Sequence, residues 1–383
     1  MFPITQLELR PGIIDLGWGH PDPQLLPLAA MREAATSAFD AYGTEMLGYG
    51  FTNGPGPFLE WLCERIAMRE GRRPSQRAIM TTGGTSLAID QLCTLLCKPG
   101  DVVLVESPTY HLAVRILRDH PLELHPVSID SAGLRLDVLE DRIASLRQMG
   151  KRIALLYCVP TFHNPTGVSL SAERRRMLLD IAAREQFLII EDDVYRELAF
   201  DDQPPASLWS MDRYDCVIRL GSFAKSIAPG LRLGWINGPE AIVQQLCQCG
   251  MLDSGGGINH LTAMIVYRFC ASAAFESHVA TLRHNYAARR AALEQALSEN
   301  MPSDCVVQAA QGGFFTWLRL PEYMSAQQLL PQAEALGMSY MPGDIFHLDR
   351  SGGNALRLAH SLYAPDDLVE AASRLGAVLK AWA

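Results

Sequence analysis

Lysine is nearly absent from this chain. Of its 33 basic residues only four are lysines, Lys98, Lys151, Lys225 and Lys380, so chemistry that needs a side-chain amine has four candidates. Long apolar runs are missing too. None approaches the ~18 residues that a membrane-spanning helix requires, and no membrane partner is expected. Met1–Gly12 has no basic stretch followed by an apolar one, so no secretory leader is expected and a cytoplasmic location is. Positive charge is in deficit, 33 basic against 42 acidic residues for a net −9, which argues against nucleic acid as a partner. Cysteine is present nine times, but the count is odd and no CxxC pair occurs. Reduced, buried thiols are therefore expected, and neither a disulfide framework nor a metal centre.

What is present is ordinary globular material: 48% apolar and 20% charged residues over 383 positions. From about residue 78 to 236, apolar β-rich runs alternate with helical patterns. Strands are expected at Ala78–Thr82, Val102–Glu106, Leu122–Val127, Ile153–Tyr157, Phe187–Glu191, Val217–Leu220 and Leu233–Ile236. Strands apolar throughout and separated by helices imply an α/β fold: a mostly parallel sheet of seven-stranded type, covered on both faces. Ligands of such sheets bind beyond the carboxyl ends of the strands. Past residue 239 the pattern becomes helical, with amphipathic stretches at Ala241–Leu252 and Glu276–Glu299, then mixed α+β. The expected division is a large domain over 46–280, a small α+β domain over 281–383, and a Pro- and Gly-rich N-terminal segment, 1–45, packing on the small domain.

The polar clusters follow strands. Lys98 lies in a Lys-Pro-Gly-Asp turn, Lys151 opens a strand and Lys380 is near the chain end. Lys225 differs: it sits in Gly221-Ser-Phe-Ala-Lys-Ser-Ile-Ala-Pro-Gly-Leu-Arg232, just beyond a strand and among small, hydroxyl and cationic residues. An amine among anion-binding groups at a strand's carboxyl edge suits a Schiff base to a phosphorylated aldehyde.

Ser222-Phe-Ala-Lys225 with Pro229-Gly-Leu-Arg232 resembles the lysine motif of fold-type I pyridoxal-phosphate enzymes, in particular aminotransferases of the 2-aminoadipate/kynurenine branch. The resemblance runs from Gly17–Pro27 to Arg357. It implies pyridoxal 5'-phosphate as cofactor, Lys225 as its Schiff-base partner, and ping-pong transfer of an amino group between an L-amino acid and a 2-oxo acid. His163-Asn-Pro-Thr-Gly167 resembles the loop whose asparagine, here Asn164, bonds the cofactor's phenolic oxygen. In Glu191-Asp-Asp-Val-Tyr195 the family spacing puts Asp192 on the pyridine nitrogen and Tyr195 on the phenolic oxygen, with Lys225, Asp192 and Tyr195 as the catalytic group. In Thr81-Thr-Gly-Gly-Thr-Ser86, Gly84, Thr85 and Ser86 are implied phosphate ligands, joined by Ser222 and Arg232. Ala224 stands where the family often has a hydroxyl, which removes one phosphate contact. Tyr110 is the implied stacking aromatic. Tyr49 matches a tyrosine that reaches the neighbouring protomer's site, implying a homodimer. Arg357 is the implied grip on the substrate carboxylate, with Asn164 beside it. Trp18, His20 and His163 are candidates for the substrate end.

A second reading keeps cofactor and lysine but changes the reaction to β- or γ-elimination or replacement, with S-adenosylmethionine as one substrate. Its support is Ser254-Gly-Gly-Gly-Ile-Asn259, a glycine run that either opens room for a larger substrate or forms a turn. A third reading, an aminotransferase-like sensor domain of a transcription regulator, needs an attached DNA-binding segment, and no such motif precedes the resemblance.

Overall fold

The computed structural model describes residues 4–200 and 203–382. Its centre is an eight-stranded sheet in the order Ile79–Thr82, Gly234–Asn237, Val217–Ser222, Leu188–Asp192, Ile153–Cys158, Val102–Ser107, Glu123–Asp130, Gly133–Leu134. Five neighbouring strands, 217–222 through 123–130, run parallel. Gly234–Asn237 is antiparallel to both of its neighbours, so Ile79–Thr82 points the same way as the parallel set. The seven strands expected from the sequence are all there. The eighth, Gly133–Leu134, folds back antiparallel on Glu123–Asp130 at the edge, and two residues are too few to leave a periodic trace. Val102–Val105 and Ile153–Cys158 are wholly buried, as a sheet covered on both faces demands.

The carboxyl ends of five of these strands lie along one edge of the sheet. That geometry gathers Gly84, Tyr110, Asn164, Asp192 and Lys225 from across 142 residues of sequence, each a few positions beyond its strand or at its last residue.

The C-terminal part carries an antiparallel four-stranded sheet, Val306–Gln308, Phe315–Arg319, Ala355–Ala359 and Met341–Pro342 in spatial order. Helices Ala273–Asn300 and Pro365–Trp382 pack on one another beside it. Gly376 permits the close approach: a Cβ there would lie 2.7 Å from the Asn300 carbonyl oxygen. Ala273–Asn300 is one unbroken helix across residue 280, where the sequence placed a boundary.

The N-terminal segment divides its contacts. Ile14–Asp15 pairs in parallel with Met338–Ser339 of the small part. Leu28–Tyr42, not anticipated as a helix, instead packs on helix His260–Cys270, where Ala38 and Met264 cluster with Met46 of the following turn and Arg268 donates to Ser37. The single helix expected over Ala241–Leu252 is two, Glu240–Cys247 and Gly250–Gly255, broken where Cys249 turns extended.

Candidate active site

A cavity of about 490 Å³ opens between the sheet edge, the small part and the N-terminal strap. Lys225, Asp192, Tyr195, Asn164, Tyr110, Gly84, Thr85, Ser86, Ser222, Arg232, Arg357 and Trp18 all line it. Tyr49 does not, and is 90% exposed in the single chain. His20 also lines the cavity, whereas His163 lies buried behind it, on Thr166 Oγ1 (2.8 Å) and 3.2 Å from a Glu106 oxygen.

Lys225 follows strand Val217–Ser222. Its half-buried amine donates to the Gly19 carbonyl at 3.2 Å and lies 5.1 Å from the Phe314 ring centroid. Packing around it, and then the Arg357 cation, push it down to about 8. A neutral amine is thereby within reach near physiological pH.

Asp192 is the last residue of its strand and Asp193 the first beyond it, and their side chains turn to opposite sides. Asp193 turns away from the cavity to Arg219 and Arg196, at 2.9 and 2.6 Å. Asp192 turns toward it: one oxygen accepts from the Tyr157 hydroxyl at 2.7 Å, and the other, Oδ1, is buried without a partner. Burial pushes this carboxyl up to about 7, against the lowering effect of Tyr157. A buried acceptor with an open valence calls for a donor.

Arg357, on strand Ala355–Ala359, sits 3% exposed between the rings of Phe315 and Phe346. Nη1 donates to Asn164 Oδ1 (3.1 Å), Nη2 to the Gly17 carbonyl (2.7 Å), and Nε has no partner. Burial pushes the guanidinium down to about 10, so it stays charged at neutral pH. Burial raises the Tyr195 phenol well above its ordinary range.

At the opposite end, Gly84 adopts φ +87°, and a Cβ there would come within 2.9 Å of Arg232 Nη2. This glycine leaves a cradle at the start of helix Thr85–Leu96, rimmed by the hydroxyls of Thr85, Ser86 and Ser222 and by Arg232. Backbone N–H groups, hydroxyls and a guanidinium make an anion site. Together with the partnerless Asp192 oxygen and the Lys225 amine at the middle, the donor set fits a phosphorylated pyridine aldehyde.

The glycine run Gly255–Gly257 does not line the cavity. Gly256 (φ +66°) and Gly257 (φ +86°) pack under residues 49–51; a Cβ at Gly257 would fall 2.2 Å from the Phe51 carbonyl. Of the two readings of this run, the turn holds: it supports the Tyr49 loop and opens no room for a larger substrate. Asn259 donates from its side chain to the Arg232 carbonyl, tying that turn to the Gly84 cradle. The sequence reading missed Tyr157, Glu106 and the lining residues Gln6, Leu112, Phe315 and Met341. A polar ring closing the otherwise apolar strand Ile153–Cys158 was the available signal for Tyr157.

A second cavity, of about 240 Å³, lies near Trp61 and Phe275. Its arginines are held by carboxylates of the same wall: Arg219 by Glu70 and Asp193, Arg65 by Glu197. Among the described residues no group of three or more His, Cys, Asp or Glu could hold a metal ion, and no helix is long and apolar enough to cross a membrane.

Comparison with known proteins gives consistent relatives. The family described as aminotransferase class I and II matches residues 11–375. The aromatic-amino-acid aminotransferase 1 of Thermococcus litoralis is 31% identical over 96% of this chain and 88% of its own length. The 2-aminoadipate transaminase of Thermus thermophilus is 31% identical over 98% and 92%. The crystal structure of Pyrococcus horikoshii kynurenine aminotransferase, in complex with PMP, superposes with a TM-score of 0.92 at 31% identity, covering 97% of this chain and 91% of that one.

Proposed function

The chain belongs to the class I and II aminotransferases, and from that premise we propose how its residues move an amino group between an amino acid and a 2-oxo acid. The family's cofactor is pyridoxal 5'-phosphate. When bound, it supplies an aldehyde to carry the amino group and a ring to accept the electron pair left by the substrate's Cα–H bond.

The chain's residues divide the remaining work. Gly84, Thr85, Ser86, Ser222 and Arg232 hold the phosphate, and Tyr110 stacks on the ring. Asp192 Oδ1 accepts from the ring nitrogen and keeps it protonated. Asn164 and Tyr195 donate to the phenolic oxygen. Arg357 takes the substrate carboxylate as a fork, which sets the α-carbon beside Lys225. The Lys225 amine holds the aldehyde at rest. Its Nζ, when free, would be the base placed to take and hold the proton of the substrate's α-carbon. The observation that carries this reading is that the Lys225 amine shares one cavity with the Arg357 guanidinium and the partnerless Asp192 oxygen.

The test is spectroscopic. Adding a suitable amino acid to the reconstituted protein is expected to convert the cofactor to its pyridoxamine form with one equivalent of oxo acid. Borohydride reduction beforehand is expected to fix the cofactor to the Lys225 peptide. Wild-type turnover by Lys225→Ala, or release of a leaving group without pyridoxamine, would overturn the reading.

The substrate end supports a neutral, apolar or aromatic side chain. Trp18, Leu112, Phe315 and Met341 line it. Among the described lining residues Lys225, Arg232 and Arg357 are the cations other than histidine, and all three already have roles. Phenylalanine is expected to exceed 2-aminoadipate in kcat/KM by roughly tenfold or more; the reverse order would count against it. The active form is a homodimer in which Tyr49 serves the neighbouring phosphate site. Its support is the exposed apolar loop Leu47, Tyr49 and Phe51, 72, 90 and 76% exposed, beside Arg232 and its Asn259 tie.

A further inference from the structure

Asp192 has two carboxylate oxygens in different situations. Oδ2 accepts from the Tyr157 hydroxyl at 2.7 Å, and Oδ1 has no partner. Tyr157 is wholly buried and Asp192 is 3% exposed, so no bulk water competes for either oxygen. The sheet register makes the pair. Tyr157 stands opposite Ile190 in the parallel ladder, and Asp192 lies two residues beyond Ile190, on the same face. Tyr157 belongs to the same buried apolar cluster as its ladder partners Val105 and Ile190 and its strand neighbour Leu155.

We propose that Tyr157 is a positioning residue for amino transfer: its hydroxyl pins Asp192 Oδ2 and leaves Oδ1 turned to the cofactor's ring nitrogen. This rests on the reading of Asp192 as that nitrogen's partner. The chemistry favours a phenol over the alternatives. Burial holds the Tyr157 phenol far above its ordinary range, so it donates a hydrogen bond and never supplies charge. A cation in its place would compete with the ring N–H for the same carboxylate and weaken the pull that keeps the ring protonated. An apolar residue would leave both oxygens desolvated, and the carboxyl would take up a proton. The other groups acting on Asp192 do not replace Tyr157. Asp193 and Glu106 are like charges that favour the protonated form, while Lys225 favours the ionised one only when it carries its own proton.

The test is Tyr157→Phe, which keeps the ring in place and removes the donor. In the full cofactor-free chain, labelled with ¹³C at aspartate carboxyls, the Asp192 titration is expected to move upward by about one to two pH units. In the reconstituted enzyme the affinity for pyridoxal 5'-phosphate is expected to fall by about tenfold and kcat to fall with it, while KM for the amino acid stays unchanged. In an Asp192→Asn background the same substitution is expected to do nothing. An unmoved Asp192 titration with unchanged cofactor affinity overturns the proposal. Wild-type affinity and turnover in Asp192→Asn alone overturn the underlying reading instead. Should Tyr157→Phe fold poorly, 3,5-difluorotyrosine at position 157, a stronger donor of the same shape, is expected to move the Asp192 titration downward. No movement there sinks the proposal equally.

Discussion

Arg357 arrives at the cavity already engaged, by Asn164 and by the Gly17 carbonyl. A substrate carboxylate therefore exchanges hydrogen bonds as well as adding them, and only a planar fork offers enough donors for both. Arg357→Lys is expected to raise KM for the amino acid by about tenfold or more while the absorbance of the bound cofactor is retained. Steady-state kinetics beside an absorption spectrum separates the two effects. At Lys225 the consequence is a pH dependence. Its amine is pushed down to about 8, against an ordinary value near 10.5. Between those values the unfolded chain holds more protons than the folded one, so the cofactor-free protein gains stability as pH rises through that window. Below pH 8 the cost of the buried cation is fully present. Lys225→Met is expected to lack this rise in thermal unfolding scans from pH 7 to 10. The lysine, the asparagine and the acidic pair were legible at this scale because each follows a strand in a short local pattern. Tyr157 and Arg357's partner Gly17 were not, since their meaning comes from residues 35 and 340 positions away.

Secondary elements were legible where the sequence supplies an end signal as well as a period. Ser171 accepts from the Arg174 amide, a side-chain cap written in the sequence at the start of helix Ala172–Glu185. Helix Leu28–Tyr42 begins at Pro27, which offers no side-chain cap, and it went unread amid proline and glycine. The glycine run was legible as one of two alternatives, and only packing decides for the turn. Gly257 combines φ +86° with the Phe51 carbonyl at its flank. Gly257→Ala is expected to cost about 1–3 kcal/mol in chemical denaturation, and to weaken cofactor binding through the displaced Tyr49 loop. Unchanged stability together with unchanged affinity would refute that account.

For the molecule as a whole, the exposed Leu47–Phe51 loop is the feature on which the proposed dimer rests. Mixing Lys225→Ala with Tyr49→Phe subunits is expected to restore activity toward about a quarter of wild-type sites, because half the pairs are mixed and each mixed pair has one intact site. Sedimentation would verify pairing first. No recovery in verified hybrids would place Tyr49 in its own protomer's service. The sequence showed the two-part architecture through its change of pattern near residue 239, but not that the N-terminal segment divides its allegiance between both parts.

That segment has a consequence for the order in which the molecule is made. Ile14 pairs with Met338, Gly17 receives Arg357, and the His20 carbonyl receives Ser361. The ribosome makes the strap first and its partners last. Until the final fifth of the chain has emerged, residues 14–20 have no sheet to join, and the Gly19 carbonyl has nothing to hold it over the Lys225 amine. A chain without residues 338–361 is expected to leave the Lys225 amine without its Gly19 cover. The site is covered only once residues 338–361 have met the strap.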